Sequence, residues 1–205
     1  MTSILLLPGM DGTGELFAPL RQRLDSATAL ALPAEPWGYD DLEAWLRPRV
    51  AHRTVLAESF SGPLAIRLAN DPPPGLERVI LVATFSDPPP LARVASVLGA
   101  LPFRVPPPGW ALRALLAGRD APDGLVEELR RVLRSVPPHV LAARMQAVAD
   151  VREALRPRVH VTVLVATSDA LVPHGDWPGC EVVDVPGPHL LCQRHPERVA
   201  PFLTR

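Results

Sequence analysis

Apolar positions along the chain fall into short continuous runs separated by stretches of helical spacing. Ser3 to Leu7 (SILLL), closed by Pro8-Gly9, predicts a strand covered on both faces. After the loop MDGTG, Leu16, Phe17, Leu20 and Leu24 recur at helical intervals, and Thr28 to Leu32 (TALAL) predicts a second strand ended by Pro33. Asp40 and Asp41 open a helix through Leu42, Trp45 and Leu46, their charge suiting the positive end of a helix dipole. Thr54 to Ala57 predicts a third strand, Gly62 to Asn70 a helix stopped by Asp71-Pro72-Pro73-Pro74, and Val79 to Ala83 (VILVA) a fourth strand.

Strands alternating with helices predict an α/β protein with a mostly parallel sheet of about six strands and helices on both faces. From Asp87 to Asp150 the alternation stops. Helical stretches at Leu91 to Leu101, Trp110 to Ala117, Gly124 to Val136 and Val140 to Val148 are joined by proline clusters instead. The α/β pattern resumes with His160 to Ala166 (HVTVLVA) and Cys180 to Val185 (CEVVDV), then a last helix from Pro196 to Leu203. Residues 1–86 and 151–205 are thus expected to form one core, with 87–150 a helical insertion. A chain of 205 residues is long enough for one substantial core and short for two.

Composition narrows the function classes. Hydrophobic residues are 47% and charged residues 21%, the profile of a globular chain, and no apolar run is long enough to span a bilayer. The 21 basic residues, all Arg, are scattered, and the net charge of -1 argues against a nucleic-acid partner. Cys180 and Cys192 lack metal-ligand spacing and read as reduced thiols; no metal or organic cofactor is implied. MTSILLLPGMDG has no basic leading segment and reads as a first strand rather than a signal peptide, which gives the cytoplasm as the expected location.

The candidate chemistry lies just after the strands. Serine-based acyl transfer needs a base within hydrogen-bond reach, an acid to orient it, and N–H donors for the developing oxyanion. In parallel sheets such groups collect at the carboxyl ends of strands. Ser59, in TVLAESFSGPLA, follows the third strand and precedes a helix, the position of a nucleophile elbow. Ala57 and Ser61 stand where G-x-S-x-G has glycines, and both are small. Asp169, in ATSDALVP, follows the next-to-last strand, and His189, in DVPGPHLL, the last. Singly, such an Asp is ordinarily a cap and such a His a loop residue; the order Ser, Asp, His after the right strands is what gives them weight.

The oxyanion hole would be the backbone N–H groups of Phe60 and of Met10, with Gly9 allowing close approach. Asp11 suits an Asx-turn that fixes its loop, and Glu58 a hydrogen-bonding role beside the site.

LLLPGMDGTG, AESFSGPLA, the Asp of ATSDALVP and the His of PGPHLL together resemble the α/β-hydrolase superfamily over essentially the whole chain. The pairing of LPG-x-DGTG with ESF-small-G also resembles the hydrolase-like half of plant phytyl ester synthases and small bacterial hydrolases. The resemblance implies Ser59 as nucleophile, Asp169 as acid, His189 as base and an acyl-enzyme intermediate. The chain departs from it in lacking both elbow glycines and in beginning at what is usually the third strand. In such proteins a cap lies where residues 87–150 fall.

Leu91, Val94, Leu115 and Leu116, with Leu98, Phe103 and Trp110 as the substrate-binding residues, are candidates for an apolar lining, although packing of the cap onto the sheet accounts for most such positions. The expected activity is hydrolysis of a small-molecule carboxylic ester or thioester with an apolar acyl part. The alternatives are an acyltransferase using the same triad with an alcohol acceptor, and a non-catalytic binding protein on the same fold.

Overall fold

The computed structural model describes residues 3–51, 53–97, 100, 103–105 and 107–204. Six strands form one sheet: β1 (Ile4–Leu7), β2 (Ala27–Ala29), β3 (Thr54–Glu58), β4 (Arg78–Val82), β5 (His160–Ala166) and β6 (Glu181–Val185). Their order is β2-β1-β3-β4-β5-β6, and every neighbouring pair is parallel. Leu7 pairs with Ala57, Ala57 with Leu81, and Glu58 with Val82, so the central strands end nearly level.

The central strands read as unbroken apolar runs because both faces are covered. Leu5, Leu7, Val55, Ala57, Val79, Leu81, Val161 and Val163 face one core, shared with α2 (Tyr39–Leu46) and α3 (Gly62–Asn70). Ile4, Leu6, Leu56, Ile80, Val82 and Leu164 alternate to the opposite face. There they meet α1 (Ala18–Arg21), α8 (Leu191–Arg194) and α9 (Pro196–Val199). α3 is buried nearly all round, Leu64 and Leu68 being fully covered, and each such leucine contributes roughly 2 kcal/mol by leaving water.

Between β4 and β5 lie α4 (Pro90–Val97), α5 (Gly109–Leu112), α6 (Asp123–Ser135) and α7 (Pro138–Asp150), referred to below as the cap. Val126, Leu129 and Val132 of α6 form an apolar stripe that packs with Leu112 of α5 and, from the sheet side, Leu16 and Leu190. α7 packs against α4.

The elements differ from the sequence pattern in several places, among them the first helix, which is a 3₁₀ turn at Glu15–Phe17 followed by α1 and ends at Arg21 rather than Leu24. β2 stops at Ala29, and the rest of its apolar run is used to hold the loop after β1, Leu32 N–H donating to the Gly12 carbonyl at 2.7 Å. α8 is additional, too short to show a period. The last helix is divided, α9 passing at Ala200–Phe202 into a 3₁₀ turn that contains Pro201. Among the described residues no helix is long and apolar enough to cross a membrane.

Candidate active site

β2 lies on one side of β1 and β3 on the other, so the loops leaving β1 and β3 diverge and open a crevice at their carboxyl ends. Ser59 stands there, directly after β3, with φ of +49°. This left-handed conformation costs a non-glycine residue about 1–2 kcal/mol and turns the chain from strand into helix within one residue. Ser61 Oγ donates to the Pro8 carbonyl at 2.5 Å, and Thr84 Oγ1 donates to the Ser59 carbonyl at 2.6 Å.

The tight glycine of the elbow is Gly62, one residue beyond the G-x-S-x-G position. A Cβ there would lie 1.8 Å from Thr84 Oγ1. Ala57 is fully buried in the sheet, so the small side chains at 57 and 61 are accommodated and the close packing falls at 62.

The structure brings Ser59, His189 and Asp169 together from the ends of three strands. His189 Nε2 is 2.9 Å from Ser59 Oγ, and His189 Nδ1 is 2.6 Å from Asp169 Oδ2. The other Asp169 oxygen accepts the N–H groups of Leu171 and Val172 at 2.8 and 3.0 Å, so the carboxylate is fixed on both sides. Both side chains are buried. With Nδ1–H donated to Asp169, Nε2 is left as the acceptor for the Ser59 hydroxyl.

The two expected oxyanion donors belong to peptides held by their carbonyl ends. Thr84 fixes the Ser59–Phe60 peptide, and the Gly9 carbonyl accepts Gly12 N–H at 3.0 Å, which fixes the Gly9–Met10 peptide. Because a trans peptide points its N–H opposite its C=O, the amides of Phe60 and Met10 face away from those anchors. Neither has an acceptor among the described residues. Asp11 Oδ2 accepts Thr13 N–H at 2.8 Å and Thr13 Oγ1 at 2.7 Å, the Asx-turn its setting suggested. Gly9 has room for a Cβ, 3.8 Å from that of Ser59, so close approach does not demand glycine there.

Ser59 and His189 open into a cavity of about 240 Å³ walled mainly by Met10, Leu112, Leu116, Leu129, Leu133 and Met145. Leu115 also lines it. Phe103 does not: it borders an adjoining groove, half-buried against Val136, Val140 and Leu141. Trp110 is 73% exposed and outside the cavity, because the first turn of α5 presents Leu112 inward instead. Leu98 lies outside the described residues. On the cap side the wall comes from α5, the turn Arg113–Ala117 after it, α6 and Met145 of α7 rather than from the aromatic positions, and the rest comes from the loops after β1, β3, β5 and β6.

Apart from Glu58, read from the sequence as a hydrogen-bonding residue, the other residues that shape the site carried no readable signal. Glu58 is buried on the α8 face, Oε2 accepting Gln193 Nε2 at 2.9 Å; burial, only partly offset by that bond, raises its pKa to about 7. Arg144 of α7 is buried against the loop after β1. Neither Thr84 nor Gln193 belongs to any local motif. Among the described residues no group of three or more His, Cys, Asp or Glu side chains is placed to hold a metal ion.

The sheet order, the crevice and the elbow are those of the α/β-hydrolase fold. Among solved structures the chain is similar to an enol-lactonase from Burkholderia xenovorans LB400, with a TM-score of 0.80 and 16% identity over 100% of this chain and 92% of that one. It is also similar to a thermophilic esterase from Thermogutta terrifontis, at 0.77 and 22% over 100% and 88%. A hydrolase from Pseudomonas aeruginosa PA01 gives 0.72 and 20% over 100% and 91%. At these identities the likeness is one of fold. No family model and no curated protein matches the chain.

Proposed function

We propose that the protein is a serine hydrolase that cleaves a carboxylic ester or thioester with a short to medium apolar acyl group, through an acyl-enzyme. The observation that carries this reading is the continuous chain of contacts from Asp169 through His189 to Ser59, opening into an apolar cavity. His189 Nε2 takes the hydroxyl proton as Ser59 Oγ bonds to the acyl carbon, and Asp169 holds the tautomer and stabilises the imidazolium. The amides of Met10 and Phe60 receive the oxyanion. His189 then returns the proton to the leaving alcohol or thiol, and water repeats the sequence to release the acid.

Substrate class follows from the wall. The cavity is smaller than the roughly 300–1,000 Å³ of sites for drug-sized ligands, which favours a modest acyl chain. The similarity to an esterase and an enol-lactonase supports ester chemistry.

The test is a panel of p-nitrophenyl esters and acyl-thioesters of increasing chain length, with Ser59→Ala as control. Activity is expected to peak at short to medium chains and to fall by several orders of magnitude in Ser59→Ala. Turnover unaffected by Ser59→Ala would overturn the mechanism. The same panel run with added alcohols separates hydrolysis from acyl transfer, because a transferase would yield the new ester.

A further inference from the structure

α7 places Val140, Leu141, Arg144 and Val148 on its buried side, and the spacing 140, 144, 148 is that of an apolar stripe. At the middle position stands an arginine that is 2% exposed. Burying a guanidinium is costly unless its donors are satisfied. Among the described residues no carboxylate is within ion-pairing distance of it, and burial, only partly offset by the nearby Asp11 charge, lowers its pKa; its acceptors are backbone carbonyls, and Nε has no partner. Nη1 donates to Met10 O at 2.8 Å and Asp11 O at 2.9 Å, and Nη2 donates to Pro33 O at 2.9 Å. Arg144 also lies 5.9 Å from the centre of the Phe60 ring.

The sequence of the loop is fitted to this side chain. Gly12 has φ of +69°, and a Cβ on it would lie 2.4 Å from Arg144 Nη1, so any larger residue would displace the guanidinium. Gly12 and Gly14, both at positive φ, make the segment conformationally permissive, and it needs restraint from outside to hold one shape. The Gly9–Met10 peptide is held by Gly12 N–H, and the next two peptides are held through their carbonyls by Arg144. Three successive peptides are fixed, and the amide left free at their head is that of Met10.

We propose that Arg144 is a positioning residue for the oxyanion hole, a cap side chain that holds the Met10 amide in place by gripping the two carbonyls that follow it. Donors aimed in advance at the oxyanion act on the transition state more than on the ground state. Loss of the grip should therefore lower kcat and leave KM nearly unchanged. The inference rests on the serine-hydrolase reading given above, with Met10 as an oxyanion donor.

The experiment compares wild type, Arg144→Met and Arg144→Lys on the best ester of the panel. It also compares inhibition by a trifluoromethyl ketone and the matching methyl ketone. The fluorinated ketone takes Ser59 Oγ at its carbonyl carbon, passes the hydroxyl proton to His189 and leaves an oxyanion; the methyl ketone reports ground-state binding. Arg144→Met should lose about 100-fold in kcat and a similar factor in trifluoromethyl ketone affinity, with methyl ketone binding and KM within about twofold. Arg144→Lys, which keeps a cation with fewer fixed donors, should recover about tenfold of both losses, and by itself carries the comparison if the methionine variant does not fold. Equal weakening of both ketones, or a folded lysine variant indistinguishable from wild type, would overturn the inference. Wild-type protein without esterase activity or fluorophosphonate labelling at Ser59 would remove the hydrolase reading, and the inference with it. An active, labelled wild type with insensitive variants removes the inference alone.

Discussion

Glu58, next to Ser59 in the chain, faces away from it in chemistry. Its carboxyl is buried at 3% exposure, one oxygen accepts from Gln193, and Glu58 Oε1 and Gln193 Oε1 have no partners among the described residues. A proton on Glu58 reduces the cost of that burial, which is why its pKa rises from 4.5 to about 7. The folded state then holds a proton that the unfolded chain has released. Its contribution to stability is greatest below about pH 4.5 and is lost as pH rises through 7. Glu58→Gln removes this dependence and offers Gln193 a reciprocal amide pair. Between pH 5 and pH 8, urea unfolding should show the variant gaining about 2–3 kcal/mol relative to wild type. A constant difference across that range would mean that Glu58 is ionised throughout.

At this scale the sequence disclosed the groups whose chemistry is tied to strand ends. Ser59, Asp169 and His189 each follow a recognisable strand, so position and residue type pointed the same way. Arg144 and Thr84 act by reaching across the fold to carbonyls 133 and 25 residues away along the chain, and nothing local marks them. Trp110 misled because a large aromatic in an amphipathic stretch looks buried, whereas the short α5 turns it outward.

The elbow is a junction of elements more than a five-residue pattern. β3 and β4 end level, and the residue that follows each, Ser59 or Ala83, adopts positive φ, at +49° and +45°. Thr84 then comes against both the Ser59 carbonyl and the first residue of α3. Gly62 is what lets α3 start so close to β4. Gly62→Ala should cost about 3 kcal/mol or more in chemical denaturation, because its methyl would occupy the place of Thr84 Oγ1, and should also reduce activity by moving the Ser59–Phe60 peptide. A variant within about 1 kcal/mol of wild type and fully active would show that the junction yields easily.

Strand identity was legible for the buried central strands, whose apolar runs have sharp ends. It was less so for β2, where half the run serves the Gly12 loop, and α8 has too few residues for a period.

Across the whole molecule, the sheet collects the site, and the helices between β4 and β5 are tied to the core at several points among the described residues. Arg144 grips the loop after β1; Leu116 accepts Leu190 N–H at 3.1 Å, next to His189; and α6 packs on Leu16 and Leu190. The parallel order was readable from alternation of strands and helices. Which cap residues face Ser59 was not, because amphipathic spacing gives a buried side without saying what it covers.

The central claim is that Ser59 is an activated nucleophile in the folded protein. Incubation with a fluorophosphonate followed by peptide mapping tests it directly: the phosphonyl group should map to Ser59 in native wild type, should not form in protein denatured before the probe is added, and should form far more slowly in His189→Ala. Native protein left unlabelled at Ser59, or labelled equally with His189 removed, would contradict it.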